Sequence, residues 1–493
     1  MAACGAAPRT PGAAKSPTCR RISGVAVAHN RLSPQAGAMK RFAIRAVAVW
    51  AAVAASITSA ATLEVGPGRR FSRIDEANAA ARPGDEIVVF PRADGRPYER
   101  EAIFVRQPRL VFRAATAERV AISGKGFDYS GEGSTPRAIF QFNEGTDDCL
   151  LEGFDLADAH NGSHNGAGVR INQANRIRIR NCTIHDNDMG IMSNGDGSLR
   201  RGLDQRIERC TIHGNGNPAD PGQNHNLYLG GASVTLRFCE VHSSLTGHNV
   251  KSRAHATRVE YCSVHHSANR EFDLVDAGET ALPESHAVLL GNVIVKANDC
   301  PGNRAVIHFG QDGGREHDGT LFMAFNTVVT PFVSPVVDLS AAKAKARLVG
   351  NFVSDGGQRQ AGQTAAAVRN GASLQEVTGE HNWWSGDFAT GARGLGLGES
   401  NRFERLTGQV FAAAATGDYR LTADVARMLA IAPAHPLGLP AVPGMAAGDA
   451  IEPLARQYRH PAGESPRFDG PCRILGAHGP TGSGAERGLK DGR

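Results

Sequence analysis

The sequence is poor in the features that mark several common protein classes. It has no Gly-rich phosphate-binding loop, and no Ser-His-Asp order stands out, so the chemistry those motifs carry has no foothold here. Its one apolar stretch of note, after Met39, is interrupted and short for a spanning helix of roughly 20 residues. Aromatic residues make up only 6% of the 493 positions. Acidic residues are absent from the first 61, which hold eight Lys or Arg. Helical periodicity is missing from the segments that repeat. What the chain has instead is 58 Gly, 41% hydrophobic residues and a mean hydropathy of −0.28, which suits a soluble protein with a sizeable core and many tight turns.

From Met39 the text reads MKRFAIRAVAVWAAVAASITSAA, a basic start, an apolar stretch and small residues. That is the pattern of a secretory signal peptide over 39–61, cleaved after Ala60 or Ala61, and it predicts export to the periplasm or the medium without a stable membrane span. Residues 1–38 read as an upstream extension of the reading frame. Without the first 61 residues, the net charge of +5 drops by eight to −3. The hint of a nucleic-acid partner in a pI near 8.8 goes with them. Seven of the nine cysteines lie beyond the leader, an odd number that argues against a complete disulfide framework.

Four of those cysteines mark a repeat. IRIRNCTIHD (177–186), RIERCTIHG (206–214), LRFCEVHS (236–243) and RVEYCSVHH (258–266) align as apolar-x-x-Cys-x-apolar-His. The slot of Cys182, Cys210, Cys239 and Cys262 holds Phe154 earlier and Asn292, Asn326 and Asn351 later, giving eight coils in one register. Short β-branched strands that alternate by two, separated by Asn and Gly turns at this period, predict an all-β parallel solenoid. Stacked Cys and stacked Asn are then structural ladders. His185, His213, His242 and His265 form a third ladder at a turn, and a turn-stabilising stack suits them better than a zinc site. A short helix over 74–81 predicts a cap for the first coil. Residues 62–379 are read as the solenoid and 380–493 as an Ala/Gly/Pro-rich tail that packs on or beyond it.

The segment FSRIDEANAAARPGDEIVVF, the repeated N-x-x-I-x-N-C-x-I-H coils, DYRLT at 418–422 and ILGAHG at 474–479 resemble the secreted right-handed parallel β-helix proteins of the pectate-lyase-like superfamily. HNLYLGG (225–231) and GHNVKSRA (247–254) are similar to a subgroup of bacterial polysaccharide lyases on that fold. The resemblance covers about 62–360. It implies a right-handed β-helix and a carbohydrate substrate, and for related lyases a Lys or Arg base paired with calcium.

The strand after each ladder places Arg170, Met192, Tyr228, Lys251, Asp273 and His308 outward in consecutive coils. Such a line is a bed for an anionic glycan. β-Elimination on a uronic acid needs a neutraliser for the carboxylate, a base and an acid. Lys251, its pKa lowered beside Arg253, reads as the base and Arg253 as the neutraliser. Tyr228, His248, His225 and His308 are acid or binding candidates, with Arg170 and Asp273 completing the substrate contacts. Glu271, Asp273, Asp276 and Glu279 could supply oxygens to calcium.

Each reading has a structural rival. Lys251 and Arg253 could pair with Asp273 or Asp276 in a solvated ladder, and His225 with His248 could be a turn stack. A monomer acting on a polysaccharide by lyase chemistry is the leading expectation. A glycoside hydrolase using Asp273 and Asp276, or a non-catalytic glycan-binding protein, are the alternatives.

Overall fold

The computed structural model describes residues 60–131, 136–358, 362–431, 437–467 and 473–479. The extension over 1–38, all but the last two residues of the signal peptide, and Cys472 lie outside the described residues. A representative coil contributes three short strands, Arg178–Arg180, Thr183–His185 and Met189–Asn194. Each pairs in parallel with its counterpart in the next coil. Repetition builds three parallel sheets of 13, 10 and 12 strands. The chain is thus a right-handed parallel β-helix.

Its register is set at one corner. The residue before the ladder position is left-handed, with φ of 54° at Asn181, 52° at Arg209, 55° at Phe238, 53° at Tyr261 and 51° at Phe325. One such residue turns the chain from the first sheet into the second. At Gly291 the same conformation comes with close approach, since a Cβ there would lie 2.7 Å from the Tyr261 ring. The ladder residue follows and turns inward. Cys182, Cys210, Cys239 and Cys262 are buried free thiols, as expected of small apolar fillers. Asn292 Nδ2 donates to Asn326 Oδ1 at 3.0 Å, Asn326 to Asn351 at 2.9 Å and Asn351 to Asn382 at 2.8 Å. Asn382 passes the chain to Asn401.

The solenoid therefore runs past the expected limit at 379, through Trp383–Ser385 to Arg402–Glu404. The helix at its other end spans Ile74–Ala80 and buries Ile74 and Ala77 against the first coil. The tail turns back along the outside. Asp449 pairs with Arg206 at 2.8 Å, Leu454 N–H donates to the Tyr261 hydroxyl at 2.9 Å, and Ala477 N–H donates to Thr327 Oγ1 at 3.0 Å. It covers Phe238, Tyr261 and Phe325, whose rings the left-handed corner projects outward. Among the described residues, no helix is long and apolar enough to cross a membrane.

The histidine ladder forms as a stack. His185, His213, His242 and His265 follow one another at centroid distances of 5.1, 4.9 and 4.9 Å with nearly parallel rings. Burial drives the pKa of His242, and of the deeply buried His248, His317 and His478, down to about 4. The native state then binds fewer of these protons than the unfolded chain, so this stability is present above the ordinary value of 6.5 and is lost as pH falls toward about 4. His185 opposes them, as does His160, raised by its hydrogen bond to Asp188. The Asp155 carboxylate raises His185 to about 9, a contribution complete below 6.5 and lost as pH rises toward 9. The lowered group outnumbers the raised one, so the urea midpoint should fall between about pH 7 and 5, at about 1.4 kcal/mol per pKa unit for each buried imidazole. A midpoint constant over that range would contradict the assignment.

Candidate functional site

The ten-stranded sheet carries the outward line. Its register pairs Arg170 with Met192, Met192 with Tyr228, Tyr228 with Lys251, Lys251 with Asp273, and Asp273 with His308. Gln141 extends the line before Arg170 and Asp338 after His308. Alternation explains the direction, because Val250, Phe272 and Ile307 on the same strands fill the core.

Asp273 is the hub. It is 1% exposed, and its Oδ1 accepts from Arg270 Nη1 at 3.0 Å and lies 2.8 Å from His308 Nδ1. Its Oδ2 stands 2.9 Å from Lys251 Nζ and 3.3 Å from His248 Nε2, at ion-pair distance but outside hydrogen-bond geometry. Burial alone would raise its pKa; the charges and hydrogen bonds of His248, His308 and Lys251 hold it well below the ordinary value. It cannot be both this hub and an open glycan contact.

Lys251 is 8% exposed and reaches a second carboxylate, donating to Asp312 Oδ2 at 2.8 Å. Burial pulls its pKa down, but Asp273 and Asp312 outweigh burial and hold it above the ordinary 10.5. The expected lowering beside Arg253 is thus reversed, because two carboxylates stand closer to the ammonium than the guanidinium's effect can offset. Arg253 Nη2 donates to the same Asp312 oxygen at 3.0 Å, and Nη1 donates to Asp276 O at 2.5 Å. The Arg253 guanidinium carbon lies 5.9 Å from the centre of the half-buried Tyr228 ring.

Asp312 is delivered by a turn that Asp276 secures. Asp276 Oδ1 accepts the N–H of Asp312 at 2.5 Å and of Gly313 at 2.7 Å, and Oδ2 accepts that of Arg315 at 2.6 Å. Beside this turn a cleft of ≈ 400 Å³ is lined by Arg270, His308, Gln311, Asp312, Gly314, Arg369 and Asn370. Arg369 binds Asp338 through Nε and Nη2 at 3.2 and 3.0 Å, and its Nη2 is 3.0 Å from His308 Nε2.

The other expected residues are placed differently. His225 and His248 are buried and stacked at 5.0 Å. Their Nδ1 atoms accept the N–H of His248 at 3.0 Å and of Arg270 at 3.2 Å, which puts the ring proton on Nε2. Burial keeps both neutral, His248 at about 4, so His248 is no reservoir for an acid proton near neutrality. Glu271 is fully buried away from the cleft. It ends an inner amide ladder in which Asn215 donates to Asn226 at 2.9 Å, Asn226 to Asn249 at 2.8 Å and Asn249 to Glu271 at 2.6 Å. Lys296 Nζ lies 3.8 Å from it. Glu279 accepts the N–H of Gly197 at 2.9 Å.

The four acidic residues therefore do not converge, and among the described residues no group of three or more His, Cys, Asp or Glu is placed to hold a metal. They do not fit calcium, since they stand apart and most of their oxygens are taken by cations, backbone N–H groups and the Asn249 amide. Asp273 and Asp276 are equally committed, which takes the hydrolase its expected pair. Arg270, Asp312, Asp338 and Arg369 escaped the sequence reading. Asp338 alone had a signal there, as VDLS repeats the FDLV pattern one coil beyond His308.

No protein-family model matches the sequence, and no curated protein matches it. Among solved structures the chain is similar to the pectate lyase Pel9A, with 14% identity, 86% of this chain and 98% of that one covered, and a TM-score of 0.44. Pectin methylesterase from carrot has 10% identity over 70% of this chain and 88% of its own, with a TM-score of 0.34. A tailspike protein of E. coli bacteriophage HK620, in complex with a pentasaccharide, has 11% identity over 70% of each chain and a TM-score of 0.36. The chemistry of the β-helix described above rests on its own side chains.

Proposed function

We propose that the chain is an exported enzyme that cleaves an anionic, uronate-containing polysaccharide by β-elimination on its ten-stranded sheet. One observation carries the reading: Lys251 Nζ and Arg253 Nη2 grip the same carboxylate oxygen, Asp312 Oδ2, at 2.8 and 3.0 Å. Asp312 sits on a turn with 42% of its side chain exposed, so a uronate carboxylate can take its place. Arg253 then neutralises that carboxylate, for which a guanidinium is well shaped. The charge of the incoming carboxylate is then met by the Arg253 guanidinium, which leaves Asp273 as the carboxylate committed to Lys251. Lys251, once unprotonated, takes the C5 proton, the C4–O bond breaks and a C4–C5 double bond forms. The Tyr228 hydroxyl, one coil away, protonates the leaving oxygen. Asp273 acts as a positioning residue.

The assay is ultraviolet absorbance of the conjugated product on pectate, alginate and glycosaminoglycans. Because the two carboxylates raise Lys251, kcat/KM should climb about tenfold per pH unit from about pH 7 to about 9. A second reading has its own observation, the 2.8 Å contact of His308 Nδ1 with Asp273 Oδ1, which arranges His308 as a carboxylate-backed base. Turnover lost in His308→Ala but retained in Lys251→Ala would favour His308 over Lys251. Binding to these glycans without any product would leave a non-catalytic glycan-binding protein.

A further inference from the structure

Arginines withdrawn from solvent on this solenoid generally meet a carboxylate. Arg206 meets Asp204 at 2.8 Å, Arg237 meets Glu260 at 2.6 Å, and Arg270 meets Asp273 at 3.0 Å. Two half-buried arginines at the other end of the outward line break that rule. Among the described residues Arg170 donates only to the thioether of Met192, at 3.2 Å from Nη1. Arg137 donates from Nη2 to Asn165 Oδ1 at 3.2 Å, and its Nε is buried without a partner. Among the described residues neither has a carboxylate within ion-pair distance. Gln141, beside Arg170 in the register, offers nothing, because its Oε1 already accepts the Arg137 backbone N–H at 2.8 Å and its amide donates to Asn143 at 3.1 Å. Each guanidinium carries five donors, so most of this capacity is unused. Two neighbouring, partly desolvated cations without a counter-charge oppose folding, and an incoming oxyanion relieves both.

We propose that Arg137 and Arg170 form a second anion-binding subsite that receives a uronate carboxylate of the same polysaccharide; this rests on the reading above. Arg170 and Lys251 are three coil steps apart in the register, about 14 Å at the usual strand spacing. Met192 and Tyr228 lie between them, half-buried, and give an apolar and aromatic floor on which sugar rings can rest. The enzyme then reads two acidic sugars of one chain, several residues apart, and a short acidic fragment engages only one of the two subsites.

The test compares the native chain, Lys251→Ala and the double variant Arg137→Gln/Arg170→Gln by calorimetry and thermal unfolding. The double variant should bind long oligouronates roughly tenfold more weakly and a uronate disaccharide as before. Its Tm should be no lower than that of the native chain, because no ion pair is lost. Inorganic sulfate should raise the Tm of the native chain and of Lys251→Ala more than that of the double variant. Unchanged oligouronate affinity, an equal sulfate response in all three, or a lowered Tm in the double variant would overturn the subsite. Absence of product on every polyuronate, with the sulfate difference intact, strikes at the lyase reading and leaves the anion site standing.

Discussion

Lys251→Ala is expected to reduce kcat/KM on a polyuronate by about a thousandfold or more, because it removes the base and half of the grip on the Asp312 oxygen together. Folding should survive, since Asp273 keeps Arg270 and His308 as partners after the lysine is gone. Binding should survive as well, since Arg253 and the cleft arginines remain. Near-complete loss of kcat with a small change in affinity therefore separates catalysis from plain glycan binding. Retention of a tenth or more of native activity, in protein shown to be folded, would remove Lys251 from the chemistry.

Asp273→Ala should have the largest effect on stability of any single change at the site, about 3 to 5 kcal/mol. The carboxylate is almost inaccessible, and its loss leaves the buried Lys251 and the half-buried Arg270 without the charge that lies between them. Urea unfolding would measure it as a lowered midpoint at unchanged slope. Asp273→Asn keeps the shape and discards the charge. The Lys251 pKa should then move down and carry the alkaline limb of the pH profile with it. An unfolding free energy within about 1 kcal/mol of the native value, by the standard of exposed pairs, would mean that the Asp273 cluster is solvated after all.

The line from Arg170 to His308 was legible because it combines two regularities, strand alternation and the recurring Cys or Asn that fixes where each coil begins. Asp338 obeyed both and could have been read. Asp312, Arg270 and Arg369 obeyed neither, since they sit in or beside turns, where no period relates sequence position to direction. The sign of the Lys251 shift failed for the same reason. Arg253 was visible two positions away, whereas Asp312 comes from a turn two coils further on. Glu271 misled in another way. In a short acidic run it resembles a cation ligand, but its backbone position continues the amide ladder through Asn226 and Asn249, where a carboxylate serves as the final acceptor. Asn382 and Asn401 were missed because the strands around them are short and the coil between them is abbreviated.

The left-handed corner divides the coil into a part that cannot change length and parts that can. Two residues separate the strands there in coil after coil, as in Asn181-Cys182, Phe238-Cys239, Gly291-Asn292 and Gly350-Asn351. The connection leaving the ten-stranded sheet runs from the short 230–232 to the long 276–286 and 311–319, and the last of these brings Asp312 to the cleft. Insertions and deletions are thus absorbed along the borders of the ten-stranded sheet, without disturbing the stacking of any coil. A lineage carrying this scaffold can reshape what surrounds the outward line by lengthening or trimming those borders alone, so that, on the proposed function, substrate preference is far easier to evolve than the fold that displays it.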